Sequence, residues 1–138
     1  MHVVDAYPLI TVALLKASRD FFVERFGMTV LFEANWVAIL SSKPDGSIAL
    51  GLMSADHPSR PPGPETFDGQ GMIITVQVDD AAAAYTRLKA GGAPIEHPLQ
   101  DEPWGQKRFM TRDPSGIRID VVEHIEPAPG FWDRYCEG

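Results

Sequence analysis

The residues best placed to do chemistry lie near the end of the chain. Arg118 and Asp120 stand two apart in the run Ile117–Glu123. Side chains alternate along a strand, so a guanidinium and a carboxylate at that spacing share one face. That carboxylate would either orient a hydroxyl or amine of a bound molecule or, if burial raised its pKa, act as a general base. The plain alternative is an ion pair, with each other or with neighbouring chain. Tyr7 adds a phenol. Phe32 and Trp36 flank the turn Ala34-Asn35, and Trp104 follows Pro103. Such rings stack on flat ligands, a contact worth about 0.5–1.5 kcal/mol beyond simple burial, but each serves equally as a core or interface residue. His2, His57, His97 and His124 show no metal-ligand spacing. Only His97 with Glu96 and Glu102, or Glu123 with His124, would build an unorthodox site. No motif argues for a Ser-His-Asp or Cys-His arrangement. Gly69-Gln70-Gly71 lacks the strand before it and the helix after it that a phosphate loop needs.

The elements that position these groups read as a repeat. Leu9-Ile10-Thr11-Val12 opens one unit, followed by a helical pattern from Ala17 to Phe26 and then Gly27. Ile73-Ile74-Thr75-Val76 opens another, followed by Asp79-Asp80, a helical pattern to Lys89, and Gly91-Gly92. The helices present Ser18, Phe21, Phe22, Arg25 and Phe26, and Ala81, Ala84, Tyr85 and Leu88, as amphipathic faces. Asp79 or Asp80 would cap the second helix, and Gly91 would end it in the left-handed conformation. Three strand-like runs follow each helix: Thr29–Glu33, Trp36–Leu40 and Ile48–Met53, then Pro94–His97, Arg108–Arg112 and Ile117–Glu123, with Asp113-Pro114-Ser115-Gly116 as a turn.

Each unit is thus β-α-β-β-β. The expectation is one domain over 1–138, with a first module at about 5–55 and a linker at 56–70 rich in proline (Pro58, Pro61, Pro62, Pro64). A second module follows at about 71–124, then a tail at 125–138. Alternation places Tyr7, Leu9 and Thr11, Ala49, Gly51 and Met53, Ile73, Thr75 and Gln77, and Arg118, Asp120 and Val122 on the faces away from the helices. The small Ala49 and Gly51 would leave room there. Phe131, Trp132 and Tyr135 are spaced for one helical turn, so the tail should pack down over a cup mouth or a partner subunit.

Composition narrows the function. The chain has 138 residues, 44% apolar and 22% charged, as a globular protein does. Nineteen acidic against twelve basic residues give a formal charge of −7, with no basic run longer than Lys107-Arg108, which argues against nucleic acid as a partner. The single Cys136 makes an internal disulfide impossible. No apolar run approaches the ~20 residues of a membrane span, and Met1–Asp5 has no signal-peptide character, so a cytoplasmic protein with no membrane partner is expected.

Ala17-Ser18-Arg19-Asp20-Phe21-Phe22 with Phe26-Gly27-Met28, and Val78-Asp79-Asp80 through Leu88-Lys89-Ala90-Gly91-Gly92, resemble the helices of the vicinal oxygen chelate superfamily. Trp104-Gly105-Gln106, Phe109 and Arg112-Asp113-Pro114-Ser115-Gly116 resemble the closing hairpin of its glyoxalase and bleomycin-resistance branch. The resemblance spans about Tyr7 to Glu123. It implies an α+β fold of two tandem βαβββ modules forming a cupped mixed sheet, commonly in a homodimer that sometimes exchanges modules. The positions at which family enzymes carry metal ligands fall on Tyr7, Gly51, Ile73 and Asp120, and only Asp120 holds a divalent ion well. The resemblance therefore implies the metal-free, bleomycin-resistance-like branch, with no cofactor.

The function expected is sequestration of a small aromatic or amphipathic molecule, such as an antibiotic or metabolite. Its site would comprise Tyr7, Phe32, Trp36, Met53, Ile73, Thr75, Trp104, Arg118 and Asp120, with Gln77 as a further orienting group. The alternative is an isomerase, lyase or dioxygenase acting on a small carbonyl-containing metabolite, with or without a divalent metal and with Asp120 as its catalytic group.

Overall fold

A computed structural model describes residues 1–59 and 65–136. It divides into two compact units, Met1–Gln70 with Asp113–Gly116, and Gly71–Arg112 with Ile117–Gly138. Of the prolines expected to stiffen the joint, Pro61, Pro62 and Pro64 lie outside the described residues.

The first unit runs β1 (Leu9–Val12), α1 (Leu15–Phe26), β2 (Thr29–Ala34), β3 (Val37–Ser41) and β4 (Ile48–Ser54). The second runs β5 (Ile73–Gln77), α2 (Ala81–Ala90), β6 (Ile95–Glu102), β7 (Gln106–Arg112) and β8 (Arg118–His124). Each has one four-stranded mixed sheet, ordered β1-β4-β3-β2 and β5-β8-β7-β6. In both, the strand before the helix pairs in parallel with the last strand, and the other pairs are antiparallel. The fold is α+β with two tandem βαβββ modules, as the sequence repeat implies.

In the first unit Ile10, Val12, Phe22, Leu40, Leu50 and Leu52 form the buried core. In the second, Leu88, Phe109, Ile119 and Val121 do so, with Tyr85 meeting Phe109 edge to face at 5.2 Å. These are the alternate positions of each strand, so the other set of alternate side chains faces away from the helix core.

Local chemistry explains the boundaries. Asp80, extended at φ −146, accepts a bond from the Ala83 N–H at 3.0 Å and caps α2. Leu14 stands at the equivalent place before α1 and has no acceptor to offer; its own N–H donates to Ser115 Oγ at 3.1 Å. Gly27 closes α1 at φ 67. At the end of α2 the expectation is corrected: Gly91 has φ −79, and it is Gly92, at φ 84, that takes the left-handed conformation. The strand after α2 also runs further than expected, through Pro98 to Glu102. β6 is the sheet edge, and its register with β7 shifts between His97 and Gln100, so a residue without an N–H is tolerated there.

Candidate functional site

The two sheets place equivalent rows on the faces turned from their helix cores. In the first unit the row is Leu9, Gly51, Ile39 and Phe32, joined by register from β1 to β2. It is apolar, with Leu9 50% and Phe32 59% exposed. Gly51 does not leave the expected room: a Cβ built on it would lie 2.9 Å from Leu9 Cδ1 and 3.1 Å from Ile39 Cδ1. The neighbouring side chains have closed over the glycine. Met53, opposite Val37, is 1% exposed and belongs to the core. Tyr7 is exposed ahead of β1. Trp36 sits in the turn before β3, where its carbonyl accepts the Ser54 N–H at 2.9 Å.

In the second unit the corresponding row is Thr75, Asp120, Met110 and His97. Here the chemistry is polar. Asp120 is 9% exposed, and its Oδ1 is buried without a hydrogen-bond partner; the nearest cation, Arg108 NH1, stands 3.6 Å away. Burial pushes the Asp120 carboxyl above the ordinary aspartate range, and Arg108 offsets this only in part. Arg108 is committed elsewhere. Its Nε and NH2 both reach Glu102 Oε2 at 2.9 Å, and its guanidinium lies 5.2 Å from the Trp104 ring centroid. Gln100 Nε2 donates to the other Glu102 oxygen at 2.8 Å. Burial opposes the charge on Glu102, but the Arg108 and Gln100 hydrogen bonds outweigh it and hold that carboxyl below its ordinary range.

The residues expected at a site are therefore brought together in part. Thr75 is directly opposite Asp120, and Ile73 opposite Arg118. Arg118 does not pair with Asp120; its Nε lies 3.8 Å from Glu96, which also accepts from Arg112 at 2.8 Å. Trp104 stacks under Arg108 and 6.4 Å from Phe131. The tail packs down as expected, in a turn in which the Cys136 N–H bonds to the Trp132 carbonyl, but its anchor is the β6–β7 turn, where Trp132 Nε1 donates to the Trp104 carbonyl at 2.9 Å. Gly105 makes this possible: at φ 110, a side chain would meet the Ile125 carbonyl at 3.0 Å.

Sequence reasoning missed Arg108 as a site residue. The alternation of Arg108, Met110 and Arg112 in the run Arg108–Arg112 was the available signal, since it puts them on the face of Asp120. A groove of about 430 Å³ in the first unit, lined by Arg19, Asp20, Glu33 and Asn35 among others, was also not foreseen. Its charges satisfy one another, with Arg19 bonded to Glu33 at 3.1 Å and to Asp20 at 2.9 Å.

A divalent ion of the kind such folds carry would need three or four N or O donors. Of Tyr7, Gly51, Ile73 and Asp120, only Asp120 has a strong one, and its carboxylate faces a guanidinium. Among the described residues, no group of three or more His, Cys, Asp or Glu side chains is placed so that it could hold a metal ion. The donor set does not fit a metal.

The model of the Glyoxalase/Bleomycin resistance protein/Dioxygenase superfamily matches residues 2–121. Solved structures of similar fold include a glyoxalase/bleomycin resistance protein/dioxygenase from Nocardioides, at 22% identity and TM-score 0.71 over 94% of this chain and 89% of that one. A possible glyoxalase from Bacillus cereus shares 23% identity at TM-score 0.65, over 88% and 99%. A lactoylglutathione lyase from Agrobacterium tumefaciens shares 21% at TM-score 0.67, over 88% and 94%. No curated protein matches the chain. No helix among the described residues is long and apolar enough to cross a membrane.

Proposed function

This chain belongs to the glyoxalase/bleomycin resistance protein/dioxygenase superfamily, and from that premise we propose that it is a metal-independent binder of a small aromatic or amphipathic molecule. The observation that carries the reading is the buried, unbonded Oδ1 of Asp120 on the face that also bears Thr75 and Met110. A desolvated acceptor without a partner is costly, and a donor group on a ligand would relieve that cost. Ile73 and Met110 supply apolar surface beside it, and Thr75, Gln77 and Arg118 supply polar groups to fix orientation. Phe32, Tyr7 and Leu9 form a second, apolar candidate surface on the first unit. A homodimer in the cytoplasm is part of the proposal, and light scattering at micromolar concentration tests its stoichiometry. The reading is tested by screening phenols and aromatic amines for binding in wild-type protein and in Asp120→Asn. It stands if binding depends on the Asp120 carboxylate and is indifferent to chelator; it falls if binding or stability requires Mn, Ni or Zn at one per chain.

The upward shift of Asp120 favours one second reading, a metal-free isomerase or lyase with Asp120 as general base. A base must be deprotonated to act, so kcat/KM would rise with pH through the elevated carboxyl pKa and then level off. In that case Asp120→Asn would abolish turnover while leaving substrate affinity nearly intact.

A further inference from the structure

We propose that Glu102 is a positioning residue for Asp120: together with Trp104 it clamps the Arg108 guanidinium and so keeps the inner oxygen of Asp120 open for a donor-bearing ligand. The inference rests on the reading of Asp120 as a ligand-binding group and names the class of ligand head group it would take, a hydroxyl, amide N–H or ammonium rather than a carboxylate or phosphate.

The geometry is that of a cation held away from one of two competing anions. Arg108 places Nε and NH2 on a single Glu102 oxygen at 2.9 Å, while its NH1 remains 3.6 Å from Asp120 Oδ1 and 3.8 Å from Met110 Sδ. Charge-assisted bonds of that length dominate over a contact at 3.6 Å. Glu102 is itself fixed: it is 6% exposed, and Gln100 holds its second oxygen. The Trp104 ring lies against the guanidinium on another side, and that indole is held by its bond to Gln106 Oε1 at 2.8 Å and by the tail. A planar, five-donor group gripped by a carboxylate and a ring has little freedom to rotate toward Asp120. Without the grip, the guanidinium would satisfy the orphaned oxygen itself, and a ligand would have to displace it.

The charged and titratable groups facing Asp120 are Arg108 from β7 and Glu102 and His97 from β6; Arg118, two residues back on its own strand, is drawn to Glu96 instead. β5, packed on its other side, contributes Ile73, Thr75 and Gln77 and no titratable group. Removing Glu102 acts in one direction only, because it both deletes a negative charge and frees Arg108 to approach.

The test needs no ligand, so its failure is separable from failure of the binding reading. The side-chain carboxyl of Asp120 is titrated by 13C NMR in the full chain for wild type, Glu102→Gln and Asp101→Asn, the last removing the same charge from the adjacent, exposed position. The expected result is a fall of the Asp120 midpoint by at least half a pH unit in Glu102→Gln, little change in Asp101→Asn, and a protected, downfield Arg108 Nε–H resonance in wild type. A midpoint that stays or rises, or that moves as far in Asp101→Asn, overturns the clamp. So does a rapidly exchanging Arg108 Nε–H in wild type, which decides the matter even if Glu102→Gln does not fold. The matching binding result is weaker capture of phenol and benzylamine by Glu102→Gln, by about tenfold.

Discussion

The two modules share element order, sheet order and strand pairing, and they differ at one face. Leu9 pairs with Gly51 in the first sheet and Thr75 with Asp120 in the second. Two residues further along, Met53 and Val122 are each 1% exposed, which marks Gly51 and Asp120 as counterparts. At one place the chain has a glycine covered by aliphatic side chains; at the other it has a buried carboxylate among Arg108, Glu102 and Thr75. The backbone scheme is common to both, so the chemistry is set by which side chains stand at a few register positions. Fold and function are separable within a single chain.

The largest effect is expected where the first module is made to imitate the second. Gly51→Asp would force a carboxylate into space held by Leu9 and Ile39, with no cation in that row. The Cδ1 ends of Leu9 and Ile39 can turn aside, so the cost is chiefly that of a carboxylate set among aliphatic side chains without a cation, a loss of about 2 kcal/mol or more in urea unfolding. A loss below about 1 kcal/mol would mean that this face is open after all.

Within the second module, Glu102→Gln takes the charge from the acceptor of two Arg108 bonds and should cost about 2 kcal/mol at pH 7 by the same measurement. The cost should shrink on acidification, because a carboxyl held below its ordinary pKa contributes stability above the unfolded-state pKa and loses it as pH falls through the folded one. The helix starts offer a smaller contrast. Asp80→Ala should destabilise by about 1 kcal/mol, whereas Leu14→Ala should have no capping loss, since Leu14 offers no side-chain acceptor. Thermal melts of both variants check it.

The most delicate contrast is in pH. Asp120 has a raised pKa, so its contribution is fully favourable below the unfolded aspartate pKa of about 3.9 and is lost as pH rises through the elevated folded value. Asp120→Asn should remove that fall and flatten the melting temperature over the weakly acidic range, while Met53→Leu in the first module should leave the slope unchanged. An identical slope in Asp120→Asn would contradict a desolvated carboxylate.

Much of the fold was legible because it depends on patterns the sequence carries locally. The period-two alternation in Ile117–Glu123, the capping Asp80 and the helix-ending Gly27 each report their own structure. Strand ends were less legible. Pro98 looked like a stop, yet an edge strand with a shifted register passes through it. The repeat is legible too, and the positions picked out by the family resemblance, Tyr7 with Ile73 and Gly51 with Asp120, carry the internal alignment that the register shows, whereas letter matching alone does not. Matching Leu9–Val12 to Ile73–Val76 by letter misses the structural pairing of Leu9 with Thr75 by two residues, and a two-residue slip leaves every side chain on its original face.

For the site, Asp120 and Thr75 could be read from alternation alone. Alternation also puts Arg108 on that face, but its grip on Glu102 could not be read there, because partner choice between two carboxylates depends on cross-strand register and distance. Gly51 misled for a related reason: a small residue makes a cavity only if its neighbours stay away, and Leu9 and Ile39 do not.

Metal-free capture of a small organic molecule by Asp120 on the second module's polar face can be followed residue by residue, through amide-shift mapping with a mixture of phenol, benzylamine and indole, in chelator, for wild type and Asp120→Asn. The expected shifts are concentrated at Thr75, Met110, Asp120 and Val122 and disappear in the variant. Shifts confined to the Arg19–Glu33 groove, or shifts unaltered by Asp120→Asn, would contradict it.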